Sequence, residues 1–131
     1  HGHALPLYQG PERRATARAL LVGDAAGLVD AFSGEGIRHA LVSGQLAAQA
    51  ILEGRAGDYA AQVERYARGA LRPSRTLAGI FYSHPWDCFR FGIRNPRATR
   101  LLAGWLNQTA GKARLMTGLL LSVIEGAWKF R

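Results

Sequence analysis

Two short groups of residues carry the chemistry that can be read from this chain. Gly23-Asp24 follows the apolar run Leu20-Leu21-Val22, and Gly34-Glu35-Gly36-Ile37 opens a long helical stretch. The apolar run contains no polar residue, which is the pattern of a strand buried on both faces. Gly23 lets another group approach the backbone. Asp24 then sets a carboxylate at the strand's end, where ligands of open α/β sheets sit. A carboxylate there accepts hydrogen bonds from hydroxyl groups. Gly34-Glu35-Gly36 exposes backbone N–H groups where a helix begins, and such a terminus carries a partial positive charge that attracts an anion. Together the two groups suit a polar cofactor. Glu35 stabilises the first helical turn for local reasons, and Asp30 is a routine turn residue, so neither side chain is given a chemical role.

Other chemistries find little support. His1 and His3 lie at a chain end without carboxylate or cysteine companions, so no metal site is assigned. His39 falls among the packing positions of a helix and His84 precedes a proline. Neither has a nucleophile beside it in the pattern, and a hydrolytic triad is not supported. The single cysteine, Cys88, excludes an intramolecular disulfide and reads as a buried inert thiol in a reducing compartment.

Charge divides the chain unevenly. Residues 1–64 hold five Lys/Arg against seven Asp/Glu, a net of −2, whereas residues 65–131 hold twelve against two, a net of +10. A basic helical surface attracts anions such as lipid headgroups, a diphosphate or nucleic acid. Helix-turn-helix spacing, zinc ligands and RNA-binding signatures are all missing, and arginines among Trp86, Phe89 and Phe91 fit an amphipathic helix better, so no nucleic-acid partner is expected.

The elements that would position the site follow from periodicity. Ile37, Leu41, Gly44, Ala48 and Ile51 recur at helical spacing, which predicts one helix over 35–53 packing that face on a sheet and ending at Gly54. Asp58 is placed to cap a second helix with Tyr59, Val63, Tyr66 and Ala70 on one face, stopping near Arg72-Pro73. Ser83-His84-Pro85 and Asn95-Pro96 each read as a break followed by a new helix. The most apolar segment, Leu115 to Ile124, is about half the ~20 residues that span a bilayer. It reads as a buried helix or as an apolar face toward a membrane or a long greasy substrate, flanked by Arg114, Lys129 and Arg131.

The string GDAAGLVDAFSGEGI, followed by a helix with closely spaced small residues, resembles the second FAD-binding motif of the geranylgeranyl reductase family and its flavin monooxygenase relatives. Gly2 to Leu7 resembles the strand and turn that precede this motif, and the likeness covers roughly residues 1 to 70. One departure is Ala31, where the family usually has proline after the second aspartate. The resemblance implies that Asp24, after Gly23, accepts hydrogen bonds from the ribityl chain of FAD. It also implies that Gly34, Glu35, Gly36 and Ile37 line the flavin's pyrimidine edge through their backbone.

The fold class that follows is α/β. The expectation is the C-terminal fragment of an FAD/NAD(P)-binding Rossmann-like fold, with one or two buried strands followed by a mostly helical C-terminal half. Residues 1–57 would complete the FAD-binding domain and residues 58–131 would form the helical region. The Gly-x-Gly-x-x-Gly turn for the pyrophosphate is missing, because His39 stands at the sixth position after Gly34 and Gly36. With His1 as the first residue, the chain reads as part of a longer enzyme and as inactive alone.

By the same resemblance, the intact enzyme would reduce carbon-carbon double bonds of a prenyl chain on a lipid or a diphosphate. A flavin-dependent monooxygenase or halogenase is the alternative among enzymes. A non-catalytic basic helical module that binds membranes is the alternative of another class. The expected location is cytoplasmic, with peripheral contact at a membrane.

Overall fold

In the computed structural model the described residues are 2–93, 95–106 and 117–118. They divide into two compact units, His1–Gly79 and Ile80–Arg131. The first unit holds both candidate motifs. Its chain passes through a 3-10 turn, Gly23–Ala26, and then two helices packed on each other, α1 (Ile37–Leu52) and α2 (Tyr59–Ala70), joined through a second 3-10 turn, Ala56–Asp58. Helix α3 (Arg72–Ser83) follows, and the Arg75 N–H bonds the Leu71 carbonyl so that the chain stays helical across the junction.

Each boundary has a local cause. Gly54, at φ +67°, ends α1 in the left-handed conformation, with the Gly54 N–H bonded to the Ile51 carbonyl and the Arg55 N–H to the Ala50 carbonyl. Asp58 stands at the N-cap of α2, but its side chain makes no capping bond. The α2–α3 junction falls at Leu71, two residues before Pro73, which lacks the N–H that an uninterrupted helix would use.

The core of this unit is made from small residues and a few rings. Tyr8, Ala26, Leu28, Ala47, Ala50, Tyr59, Val63, Ala67 and Leu71 are buried together. Tyr59 reaches from the start of α2 to donate its hydroxyl proton to the Leu21 carbonyl at 2.5 Å. The buried face of α2 is the one its spacing predicts at Tyr59, Val63 and Ala70. That of α1 is not. His39, Ser43, Ala47 and Ala50 are buried, while Ile37, Leu41, Ile51 and Leu52 are exposed. Small side chains let α1 approach α2 and the 3-10 turn closely, so the stripe of small residues faces inward and the bulky apolar residues face out.

The α/β expectation is overturned. Among the described residues there is no strand and no sheet, only isolated bridges of Leu7 with Val29 and of Ala15 with Leu20. The Rossmann-like buried strands are therefore absent from the described residues. Residues 14–21 instead form a tight turn, closed by Thr16 N–H to the Ala19 carbonyl and Leu21 N–H to the Arg14 carbonyl. Val22 keeps extended backbone angles, yet Leu21 and Val22 are 40% and 39% exposed. A strand exists only when neighbouring strands take its N–H and C=O groups, and an apolar run supplies the conformation without the partners.

The second unit continues the helical pattern. A one-turn helix, α4 (Pro85–Asp87), runs into a π-helical stretch, Cys88–Ile93, and α5 spans Pro96–Leu106. Both proline-marked breaks are thus followed by helix. Apart from Thr117 and Gly118, the apolar segment Leu115 to Ile124 and its basic flanks at Arg114, Lys129 and Arg131 lie outside the described residues, as does His1. Among the described residues no helix is long and apolar enough to cross a membrane.

Candidate functional site

Gly23 is required twice over. Its φ is +55°, and a Cβ there would lie 2.8 Å from the Cβ of Ala40 in α1. The close approach is tied by a buried hydrogen bond from the Gly23 N–H to Ser43 Oγ at 2.9 Å, and Ser43 in turn donates to the His39 carbonyl at 2.8 Å. Ser43 thereby pins the 3-10 turn against α1. Gly27, at φ +63°, closes that turn with its N–H on the Asp24 carbonyl.

This anchoring delivers Asp24 to the surface. Its carboxylate is exposed, and among the described residues no ion pair or hydrogen bond engages it. Asp24 Oδ1 lies 3.1 Å from the position a Cβ on Gly36 would take, with Val29 Cγ2 at 3.5 Å from the same point. Any side chain at residue 36 would crowd the carboxylate. Gly36 is also the N-cap of α1, and no side chain caps that terminus. The start of this 16-residue helix therefore lies beside a carboxylate, across a gap that only glycine leaves open.

The loop leading to this point is held by Asp30. Its side chain is buried and accepts the Phe32 and Ser33 N–H groups, both at 2.9 Å. Its backbone exchanges bonds with Gly34 and Glu35, and Gly34 takes φ +73°. Asp30 thus serves as a turn residue. Glu35 pairs with Arg38 at 3.1 Å, consistent with a structural role for its side chain. Ile37 is 81% exposed at the first position of α1. The fold therefore brings Asp24 against Gly36, with Gly23 packed on α1 at Ala40 and with Gly34, Glu35 and Ile37 along the adjoining backbone.

Around this site sits a polar network that spacing does not reveal. His39 Nδ1 and Tyr66 Oη lie 2.7 Å apart between α1 and α2. Burial raises the Tyr66 pKa above the ordinary phenol value, opposed by the charge of Arg38. Arg14 is buried, with Nε on the Ala26 carbonyl at 2.8 Å, a terminal nitrogen on the Gly10 carbonyl at 2.9 Å and another 3.4 Å from Glu64. Glu64 also accepts the Tyr8 hydroxyl at 3.3 Å. The pairs involved are separated by 27, 50 and 56 residues, so no local motif marks them. Ser43 is partly legible, being four residues beyond His39 on the same face. Cys88 is half-buried, and burial together with Asp87 raises its thiol pKa, which suppresses the thiolate. Among the described residues no group of His, Cys, Asp and Glu could hold a metal ion.

Neither a protein-family model nor a solved structure matches the chain. Curated relatives do. It is 52% identical over 52 residues to the chloroplastic geranylgeranyl diphosphate reductases of Arabidopsis thaliana and Nicotiana tabacum, and 50% identical over 54 residues to that of Oryza sativa subsp. japonica. The aligned parts are 40–41% of this chain and 11% of each relative. Over that part of its length, the chain is similar to geranylgeranyl diphosphate reductases.

Proposed function

We propose that this chain forms one wall of the FAD site in a reductase that saturates double bonds of a prenyl chain carried on a lipid or a diphosphate. The observation that carries the reading is the meeting of the Asp24 carboxylate with the uncapped start of α1 across Gly36. The relatives' names support the reductase class and the prenyl substrate. Gly23 and Asp24 would face the ribityl chain, whose hydroxyls donate to the carboxylate. The backbone of Gly34, Glu35, Gly36 and Ile37 would line the pyrimidine edge. When bound, the flavin supplies the hydride. The chain's own part is electrostatic: fixed N–H dipoles at the start of α1 favour negative charge beside them, at no reorganisation cost.

Two measurements on the complete protein test this. A flavin absorbance spectrum of the purified protein is expected. Turnover with a prenyl diphosphate is expected to give a product heavier by two hydrogens per reduced bond. Oxygen or halogen incorporation would instead identify a monooxygenase or halogenase, and a colourless protein would remove the flavin reading. Peripheral membrane contact belongs to the same proposal and is supported by exposed Tyr82, Trp86 and Phe89, since aromatic and basic side chains together favour the headgroup region.

A further inference from the structure

A second feature of the first unit shares no residue with the segment from Gly23 to Ile37. It is a cleft of about 420 Å³ between the bend at Gly10 and the outer face of α2 and the start of α3. Tyr8 and Gly10 form its floor, and Glu64, Arg68, Arg72 and Arg75 its wall. Arg72 and Arg75 are three residues apart on α3 and so share a face of that helix, and Arg68, in the last turn of α2, lines the same cleft.

Charge in the cleft is unbalanced. Glu64 is the one acidic residue of the lining, and it is already engaged by buried Arg14 and the Tyr8 hydroxyl. Arg68 approaches it only to 4.0 Å. Among the described residues Arg72 and Arg75 have no carboxylate within ion-pair distance. Glu12, nearby in sequence, turns its carboxylate to within 3.2 Å of the Cβ position of Gly27 instead. Arg75 lies over Gly10, with a terminal nitrogen 3.7 Å from where a Cβ on that glycine would sit. The charge of Arg72 also reaches Tyr8 and opposes the rise in its phenol pKa. Three exposed guanidiniums thus converge on a concavity whose floor is pinned by a fourth, buried one.

We propose that this cleft binds a phosphate-bearing anion with two or more negative charges, of the diphosphate type. Guanidinium groups present paired donors that match phosphate oxygens, and several around one concavity hold a multivalent anion better than separated surface charges do. A cleft of this size lies within the range of small-ligand sites, roughly 300–1,000 Å³. The choice of a diphosphate-type anion rests on the substrate reading above, which already names a diphosphate, whereas the site itself rests on the arginines of the cleft and needs no flavin.

The test is titration of the complete protein with inorganic diphosphate at low ionic strength, followed by calorimetry. Saturable binding is expected, weakened at least tenfold in R72Q/R75Q. The control R18Q/R65Q removes two exposed arginines that do not line the cleft and is expected to bind within about twofold of the parent. Equal weakening of both variants, or no binding by the parent, would overturn the proposal. If R72Q/R75Q fails to fold by circular dichroism, the single variant R75Q gives the same comparison against R65Q. Vesicles of phosphatidylcholine with phosphatidic acid identify the source of the phosphate. Vesicle binding that diphosphate competes away indicates a lipid headgroup, and diphosphate binding without vesicle binding indicates a free anion, both in support. Vesicle binding that diphosphate does not compete away, in a protein that fails to bind diphosphate, counts against the cleft.

Discussion

Asp24 has the two properties that a ligand-holding carboxylate needs, an exposed acceptor and a backbone that cannot drift. On the proposed flavin role, Asp24→Ala in the complete protein is expected to weaken FAD by roughly tenfold to a hundredfold, the loss of one charge-assisted hydrogen bond of about 1.5–3 kcal/mol. The melting temperature should hold, since nothing among the described residues leans on that carboxylate. An unchanged FAD dissociation constant would remove the assigned role. Ser43 makes the opposite prediction. Ser43→Ala deletes the acceptor of a buried Gly23 N–H and leaves that donor unsatisfied, which costs about 1–3 kcal/mol. Chemical denaturation should register the loss in the apo protein, before any ligand is added. Comparing the two variants separates the proposed flavin contact from a residue that holds the turn.

At the scale of elements, Glu64 connects pieces that are far apart in sequence. From α2 it meets Arg14 of the N-terminal turn and the Tyr8 hydroxyl, while Arg14 itself reaches the carbonyls of Gly10 and Ala26. Glu64→Ala is expected to cost roughly 1.5–3 kcal/mol in a urea titration, because a buried guanidinium loses its charged partner. A double-mutant cycle with Arg14→Met should show coupling, since the two side chains share one network. Strict additivity would mean that the carbonyl bonds alone hold Arg14. Helix α1 shows a further consequence of packing at this scale: its small residues sit against α2, and its bulky ones remain outside.

For the whole molecule, the buried phenols set an alkaline limit. Tyr8, Tyr59 and Tyr66 all have pKa values raised above 10.0, in each case chiefly by burial. Below the unfolded value near 10 both states keep their protons, and the full stability is present. As pH rises past it, the unfolded chain releases protons that the folded chain retains, so stability falls as the folded pKa values are approached. Thermal melts between pH 8 and pH 11 (about two units below and one above the reference phenol value) should fall only in the upper part of that range. Phenolate absorbance should rise together with unfolding. Phenolate appearing well before any loss of structure would show that the rings are solvated.

Features set by a few neighbouring residues were legible in the chain itself. Gly54 ends α1, prolines at 85 and 96 open new helical segments, and the i, i+4 spacing of Tyr59 and Val63 marks the inner face of α2. The glycines of the motif announce close approach, which the Gly23 to Ala40 contact shows at one of them. The tertiary structure alone decided the rest. Leu20-Leu21-Val22 has strand-like composition, but a sheet requires partner strands, and the described residues bring it only the turn at Ala15 and the Tyr59 hydroxyl. The buried face of α1 depended on which side chains were small enough for α2 and the 3-10 turn to approach, and counting apolar positions selected the opposite one. The bonds Ser43 to Gly23 and Glu64 to Arg14 close over 20 and 50 residues. Propensity and capping act within a turn or two of helix, whereas burial and charge pairing depend on what the rest of the chain carries to the same place.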